Sequence, residues 1–171
     1  MATTTHLTAQ IGSGKRPLTL ENHLEEKWSQ TETNHVNVVI DFIEHLMNQH
    51  DFEYIQREFG SSRYKQHNRS MTDGIAGVIE VVSGVVKRYP EYGYDVRRII
   101  PSRDYVYVHS HVTMKAKHRG NDKKGYNIMD VWRLEDGRLV EHWDAVQPLN
   151  GFWRFYSWLT GGKIRNANTP F

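Results

Sequence analysis

No cysteine occurs in the 171 residues. Disulfides, thiolate nucleophiles and zinc sites built on thiolates are therefore excluded, and the chain suits a reducing compartment. No apolar run approaches the roughly 20 residues that span a bilayer as a helix. The opening MATTTHLTAQIGSGKR lacks the apolar core of a secretory signal. The expectation is a cytoplasmic protein with no membrane partner. Charge of one sign is missing too: Lys and Arg number 22 against 20 Asp and Glu, and they are scattered. Without a basic stripe, nucleic acid is not expected as a partner. The GSGK tetrad has neither the spacing nor the preceding strand of a phosphate-binding loop. There is no internal repeat.

With 38% hydrophobic and 25% charged residues, a chain of this length suits a single folded domain with a real core. Residues 1–30 are Thr-rich and polar, and read as an arm, flexible or packed on a partner. Thr31 or Thr33 is placed to cap a first helix, with Val36, Val39, Ile40, Ile43, Leu46 and Met47 forming one apolar stripe. Asp51 caps a short second helix carrying Phe52, Ile55 and Phe59 and ending at Gly60. After a polar connection, Thr72 or Asp73 starts a third helix that stops at Tyr89-Pro90.

From Tyr92 the apolar period becomes two. Strands are expected over Tyr94–Ile100 and Tyr105–Lys117, followed by a charged loop, His118–Lys124. Asp136-Gly137 then joins the runs Asn127–Glu135 and Arg138–Gln147, the strongest short hairpin signal available. Helices first and an antiparallel meander after them make an α+β fold, with helices on one face of a curved sheet. The last segment, 149–171, places Phe152, Phe155, Tyr156 and Leu159 on one helical face, edged by Trp153 and Trp158. So many aromatics must cover something, as a lid, a dimer contact or a helix docked on its own core.

A two-residue loop at Asp136-Gly137 sets Leu134 against Leu139, Trp132 against Glu141 and Asp130 against Trp143. Asp130 then occupies the apolar phase of its strand, between Ile128 and Trp132. A carboxyl group there is desolvated, which raises its pKa and suits it to proton exchange with a carbonyl compound. The structural alternative is that Asp130 pairs with a buried Arg, Tyr or His and only holds the sheet in register.

YKQHN, a following helix ending in YP, DYVYVHSHV and MDVWRLEDGRLVEHWDAVQP together resemble the SnoaL-like, polyketide-cyclase-like branch of the superfamily named after nuclear transport factor two. The resemblance covers about Val36 to Pro148, within a domain bounded at 31–148. It implies a cone-shaped α+β barrel, in which three N-terminal helices close a curved antiparallel sheet around an apolar pocket, commonly as a homodimer. It also implies aldol-type ring closure with neither metal nor organic cofactor, using an Asp that falls on Asp130. Ketosteroid isomerase, in the same superfamily, carries a protonated Asp in a similar Asp-apolar-apolar-Arg context. His67 falls on the family's Tyr-x-Gln-His-Asn motif, at the pocket rim.

His109 and His111 point the same way, and their face depends on register. With Val112 opposite Asp130 they lie outside. With Thr113 opposite, His111 sits beside Trp132 as a second proton-transfer group. A bulge at Gly137 would likewise exchange Trp143 and His142 between faces.

The expected site is thus Asp130 with His67 or His111 as acid–base groups, and Tyr64, Trp132, Trp143, His109 and Glu141 around a small apolar carbonyl ligand. Two other readings stand beside it. An epoxide hydrolase on the same barrel needs an Asp-Arg-Asp set, against which Arg133 lies in the opposite phase to Asp130. A non-catalytic binding module needs no titratable group within reach of Asp130.

Overall fold

A computed structural model describes residues 28–161. All but the last three residues of the expected arm, and the chain after Gly161, lie outside the described residues.

The first helix, α1 (Gln30–Ile43), starts ahead of both expected threonine caps, and Thr31 and Thr33 lie inside it. Ser29 is its cap: the hydroxyl accepts from the Glu32 amide at 3.2 Å, and the Glu32 carboxylate accepts from the Ser29 amide at 2.9 Å. This reciprocal capping box satisfies two amide donors that a helix start leaves open. The helix widens into a π-helical turn over Glu44–Gln49, which carries Leu46 and Met47 into the core. Asn48 on that turn accepts from the Tyr94 amide at 2.9 Å, tying helix to sheet. In α2 (Phe52–Phe59), Asp51 caps as expected, accepting from the Tyr54 amide, and Ile55 and Phe59 are buried.

A two-residue strand, β1 (Lys65–Gln66), precedes α3 (Gly74–Arg88). Four longer strands follow: β2 (Gly93–Ser102), β3 (Tyr105–Thr113), β4 (Tyr126–Glu135) and β5 (Arg138–Pro148). A terminal helix, α4, spans Gly151–Thr160. The sheet order is β1-β5-β4-β3-β2, antiparallel except for β1 on β5. The architecture is the expected α+β one, with three N-terminal helices packed against a mostly antiparallel sheet.

Two strand expectations change in length. β2 runs on through Pro101, which pairs with Val106. β3 stops at Thr113, because a single 3-10 turn over Ala116–His118 takes the chain out of the ladder. The hairpin turn is where the sequence puts it, with φ of 49° at Asp136 and 72° at Gly137, the left-handed pair that a two-residue turn requires.

Val36, Val39, Ile43 and Leu46 from the first helical stretch meet Val106, Val108, Trp132 and Leu134 from the sheet, all wholly or almost wholly buried. Phe42, outside the expected stripe, is also buried and stands edge-on to both Phe59 and Trp132. On α4, Phe152, Phe155, Tyr156 and Leu159 are exposed, from 47% to 69%.

Candidate functional site

Asp130 points inward and is 2% exposed. Its strand alternates as the sequence implies, with Ile128, Asp130, Trp132 and Leu134 all buried. Its neighbour on β5 is not the expected one. The β4–β5 register shifts between Arg133 and Leu134, so that Leu134 faces Leu139 but Arg133 faces Glu141. One extra residue on β5 reverses every later side chain. Trp132 therefore faces His142, and Asp130 faces Asp144, while Glu141 and Trp143 turn to the outer side. This corrects the pairings of Trp132 with Glu141 and of Asp130 with Trp143.

The bulge brings His142 to Asp130. Its Nε2 lies 3.1 Å from Asp130 Oδ1, and its Nδ1 lies 3.0 Å from Gln66 Oε1. Both side chains are almost wholly buried, at 7% exposure for His142 and 3% for Asp130. The second carboxyl oxygen, Asp130 Oδ2, is buried and has no hydrogen-bond partner among the described residues. Asp144, half-buried, is held by Asn68, whose Nδ2 donates to Asp144 Oδ2 at 2.5 Å.

Burial raises the Asp130 pKa above the ordinary carboxylate value. The His142 hydrogen bond and charge pull it down and the nearby Asp144 pushes it up, leaving a net rise.

Trp132 is fully buried, stacks on His142 with centroids 4.9 Å apart, and donates its Nε1–H to the Tyr64 hydroxyl at 3.1 Å. Burial drives the Tyr64 pKa well above that of a free phenol, so its hydroxyl stays protonated. Because that oxygen already accepts from Trp132, its own O–H is oriented elsewhere. Tyr64 also lines a cleft of about 760 Å³ along the β1–β5 edge, with Lys65, Arg133 and Glu141.

The other expected site residues assemble elsewhere. His67 is buried on the outer side of β5, stacked on Trp143 with centroids 4.6 Å apart and 2.8 Å from Glu141. Burial opposes the Glu141 charge, but hydrogen bonds from His67 and Arg133 hold its pKa below the usual value. Arg133 also pairs with Glu135. Among the described residues, an Asp-Arg-Asp set is therefore not brought together inside.

On β3 it is Val108 that faces Asp130. This gives the parity of the first register, with the valines inside and the histidines outside. Continuity of the apolar face decides it. His109 bonds to Asn127 Oδ1 at 2.6 Å. His111 is buried, but beneath the β3–β4 connection, where its Nε2 donates to the Lys124 carbonyl at 2.8 Å.

His142 and Gln66 are the residues that sequence reading left out of the site. The signal for His142 is a bulge at the hairpin, expected at Gly137; the turn itself is regular, and the extra residue is Val140, where the register shifts between Arg133 and Leu134. For Gln66, a two-residue strand carries no periodicity to read.

Ligand atoms of Asp130, His142 and Asp144 lie within 4.8 Å of one another, the donor number of a cation site. Nε2 and Oδ1 are, however, turned on each other across a hydrogen bond.

Three N-terminal helices packed against a five-stranded, mostly antiparallel sheet are the fold of the class named after nuclear transport factor two. The chain belongs to its SnoaL-like family, whose domain model matches residues 39–142, more than half of the sequence. Among solved structures it is similar to a candidate polyketide cyclase from Bacillus cereus ATCC 10987, at 17% identity and a TM-score of 0.60, covering 81% of this chain and 91% of that one. A candidate SnoaL-like polyketide cyclase from Jannaschia sp. CCS1 follows at 14% identity and 0.58, covering 78% and 96%. AclR, a candidate hydroxylase from Streptomyces galilaeus, matches at 17% and 0.56, covering 73% and 86%. At such identities the likeness shows the fold alone. A comparison with curated proteins gave no match. Among the described residues no helix is long and apolar enough to cross a membrane.

Proposed function

We propose that this protein is a cofactor-independent acid–base enzyme acting on a small or polyketide-like carbonyl compound, by aldol-type ring closure or by enolisation and isomerisation. One observation carries the reading. Asp130 is sealed from water with one oxygen bonded to His142 and the other left without a partner. Buried polar atoms are as a rule paired, and an unpaired carboxyl oxygen beside a titratable partner is what proton exchange with a ligand needs.

Oδ2 of ionised Asp130 takes the proton from the carbon next to the carbonyl. The C–H electron pair becomes the enolate double bond, and the carbonyl pair moves onto oxygen. The His142 Nε2–H bond to Oδ1 balances charge on the pair while the proton is held. For ring closure the enolate carbon attacks a second carbonyl of the same molecule, and the new alkoxide takes the proton back. For isomerisation the proton returns to a different carbon. The Tyr64 hydroxyl, a protonated phenol, fits the enolate oxygen as a donor. His67, His109, His111, Trp143 and Glu141 have no part in this scheme, since they lie on the outer side.

Storage of an apolar ligand without chemistry is the second reading. It is disfavoured by His142, a titratable group 3.1 Å from Asp130. We also propose a homodimer through the outer sheet face, where Ile100, Tyr107 and Met129 are 55%, 39% and 42% exposed.

The test is deuterium uptake from D2O next to the carbonyl of a β-dicarbonyl compound, read by mass spectrometry. Wild-type protein is expected to catalyse it, and Asp130→Asn to lower the rate about 10²–10⁴-fold, the range of one acid–base group. Unchanged exchange in a folded Asp130→Asn variant would remove the assignment.

A further inference from the structure

We propose that Gln66 is a positioning residue: it holds a proton on His142 Nδ1, so that His142 and Asp130 share one further proton between Nε2 and Oδ1. Asp130 Oδ2 is then the one atom of the pair that trades protons with a guest. This deepens the acid–base reading and takes its catalytic meaning from it.

The Gln66 side chain presents its amide oxygen to His142. Gln66 Oε1 accepts from the Asn68 backbone amide at 2.9 Å, and a backbone N–H can only donate. At the other end, Gln66 Nε2 donates toward Met71 Sδ at 3.6 Å. The atom 3.0 Å from His142 Nδ1 is therefore an acceptor, and Nδ1 must carry hydrogen. In the neutral ring, a hydrogen on Nδ1 makes Nε2 the lone-pair nitrogen. Nε2 and Oδ1, 3.1 Å apart, then need one proton between them to hydrogen-bond, on the acid or on the imidazolium. Were the ring free to choose the opposite tautomer, Nε2–H would donate to ionised Asp130 with no positive charge on the ring, and the pair would be one proton poorer.

Gln66 is fitted to this task by its backbone. It is wholly buried and stands directly across from His142 in the parallel β1–β5 register. Its amide donates to Asp73 Oδ1 at 2.8 Å, and the next amide, His67, donates to the His142 carbonyl at 2.9 Å. Asp73 thus fixes β1 instead of capping α3 by its side chain. A strand of two residues, clamped on both sides, presents one amide side chain to one imidazole. The other groups around the ring are Trp132 and Tyr64, stacked on it with centroids 4.9 and 6.2 Å away, and Asp144.

The experiment is a ¹⁵N–¹H correlation spectrum of the histidine side chains of the full chain, with His142 assigned by loss of its signals in His142→Gln. Wild-type protein is expected to show a protonated, pyrrole-type Nδ1 across neutral pH. Gln66→Met, close in volume but with only a weak thioether acceptor in place of the amide oxygen, is expected to move the proton to Nε2 and turn Nδ1 pyridine-type. Gln66→Glu, which restores an acceptor, is expected to keep the wild-type pattern. A pyridine-type Nδ1 in the wild-type protein overturns the proposal, and so does a wild-type tautomer retained in a folded Gln66→Met variant. The wild-type spectrum decides even if the variants fail to fold. No turnover is needed, so this result stands or falls separately from the deuterium-exchange test on Asp130.

Discussion

The indole of Trp132 and the imidazole of His142 lie face to face across the β4–β5 hairpin, with ring centroids 4.9 Å apart and planes 28° from parallel. The stack exists because the register slips by one residue between Arg133 and Leu134. It places a flat apolar wall behind His142, so the ring has little freedom besides the edge that meets Asp130 and Gln66.

Trp132 is expected to be among the costliest residues to truncate. It is fully buried, packs edge-on to Phe42 and donates to Tyr64. Trp132→Ala should lose about 3–5 kcal/mol in urea unfolding. Trp132→Phe keeps an aromatic body but strips the donor from Tyr64, and should lose roughly 1–3 kcal/mol.

Asp130 should make stability fall as pH rises. Burial raises its pKa in the folded state, so the native protein binds this proton more tightly than the unfolded chain does. The favourable contribution is full below the unfolded value, about 3.9, and is lost as pH rises through the raised folded value. Compared by chemical denaturation at a series of pH values, Asp130→Asn should gain stability relative to wild type from about pH 4 upward. A difference that stays constant with pH would show that the folded carboxyl is not shifted.

Ser29 sets the start of α1 through a two-way exchange with Glu32. Ser29→Ala should cost about 0.5–2 kcal/mol in thermal or urea unfolding, and Ser29→Asp should restore most of it. Substitution of Thr31 or Thr33, which lie inside the helix, should change stability by less than about 0.5 kcal/mol.

Exposed Met129 and Tyr107 offer a direct check on the homodimer. Light scattering after size exclusion should give twice the chain mass for wild type and the single-chain mass for Met129→Asp or Tyr107→Asp. A wild-type monomer at micromolar concentration would remove the dimer.

Much of this molecule was legible from local rules. Asp51 caps α2, Asp136-Gly137 turns the hairpin, and Asp130 faces inward, as alternation and turn chemistry imply. The valine phase of β3 chose the interior, and His109 and His111 followed onto the other side. The start of α1 is not legible locally, because Ser29 belongs to a stretch that reads as a polar tail, although Trp28 beside it packs against the core.

By itself the sequence determined the order of helices and strands, the place of the tight turn, and that one acid would lie in an apolar layer. Those properties depend on neighbours a few residues apart, through side-chain periods and backbone preferences. Tertiary structure alone decided which residues meet that acid. A one-residue bulge exchanged Trp143 for His142, because a period of two turns a single slip into a reversal of faces. The pairing of β1 with β5, across 76 positions of chain, then delivered Gln66 to the imidazole, and no local pattern encodes a contact between a two-residue strand and a distant edge.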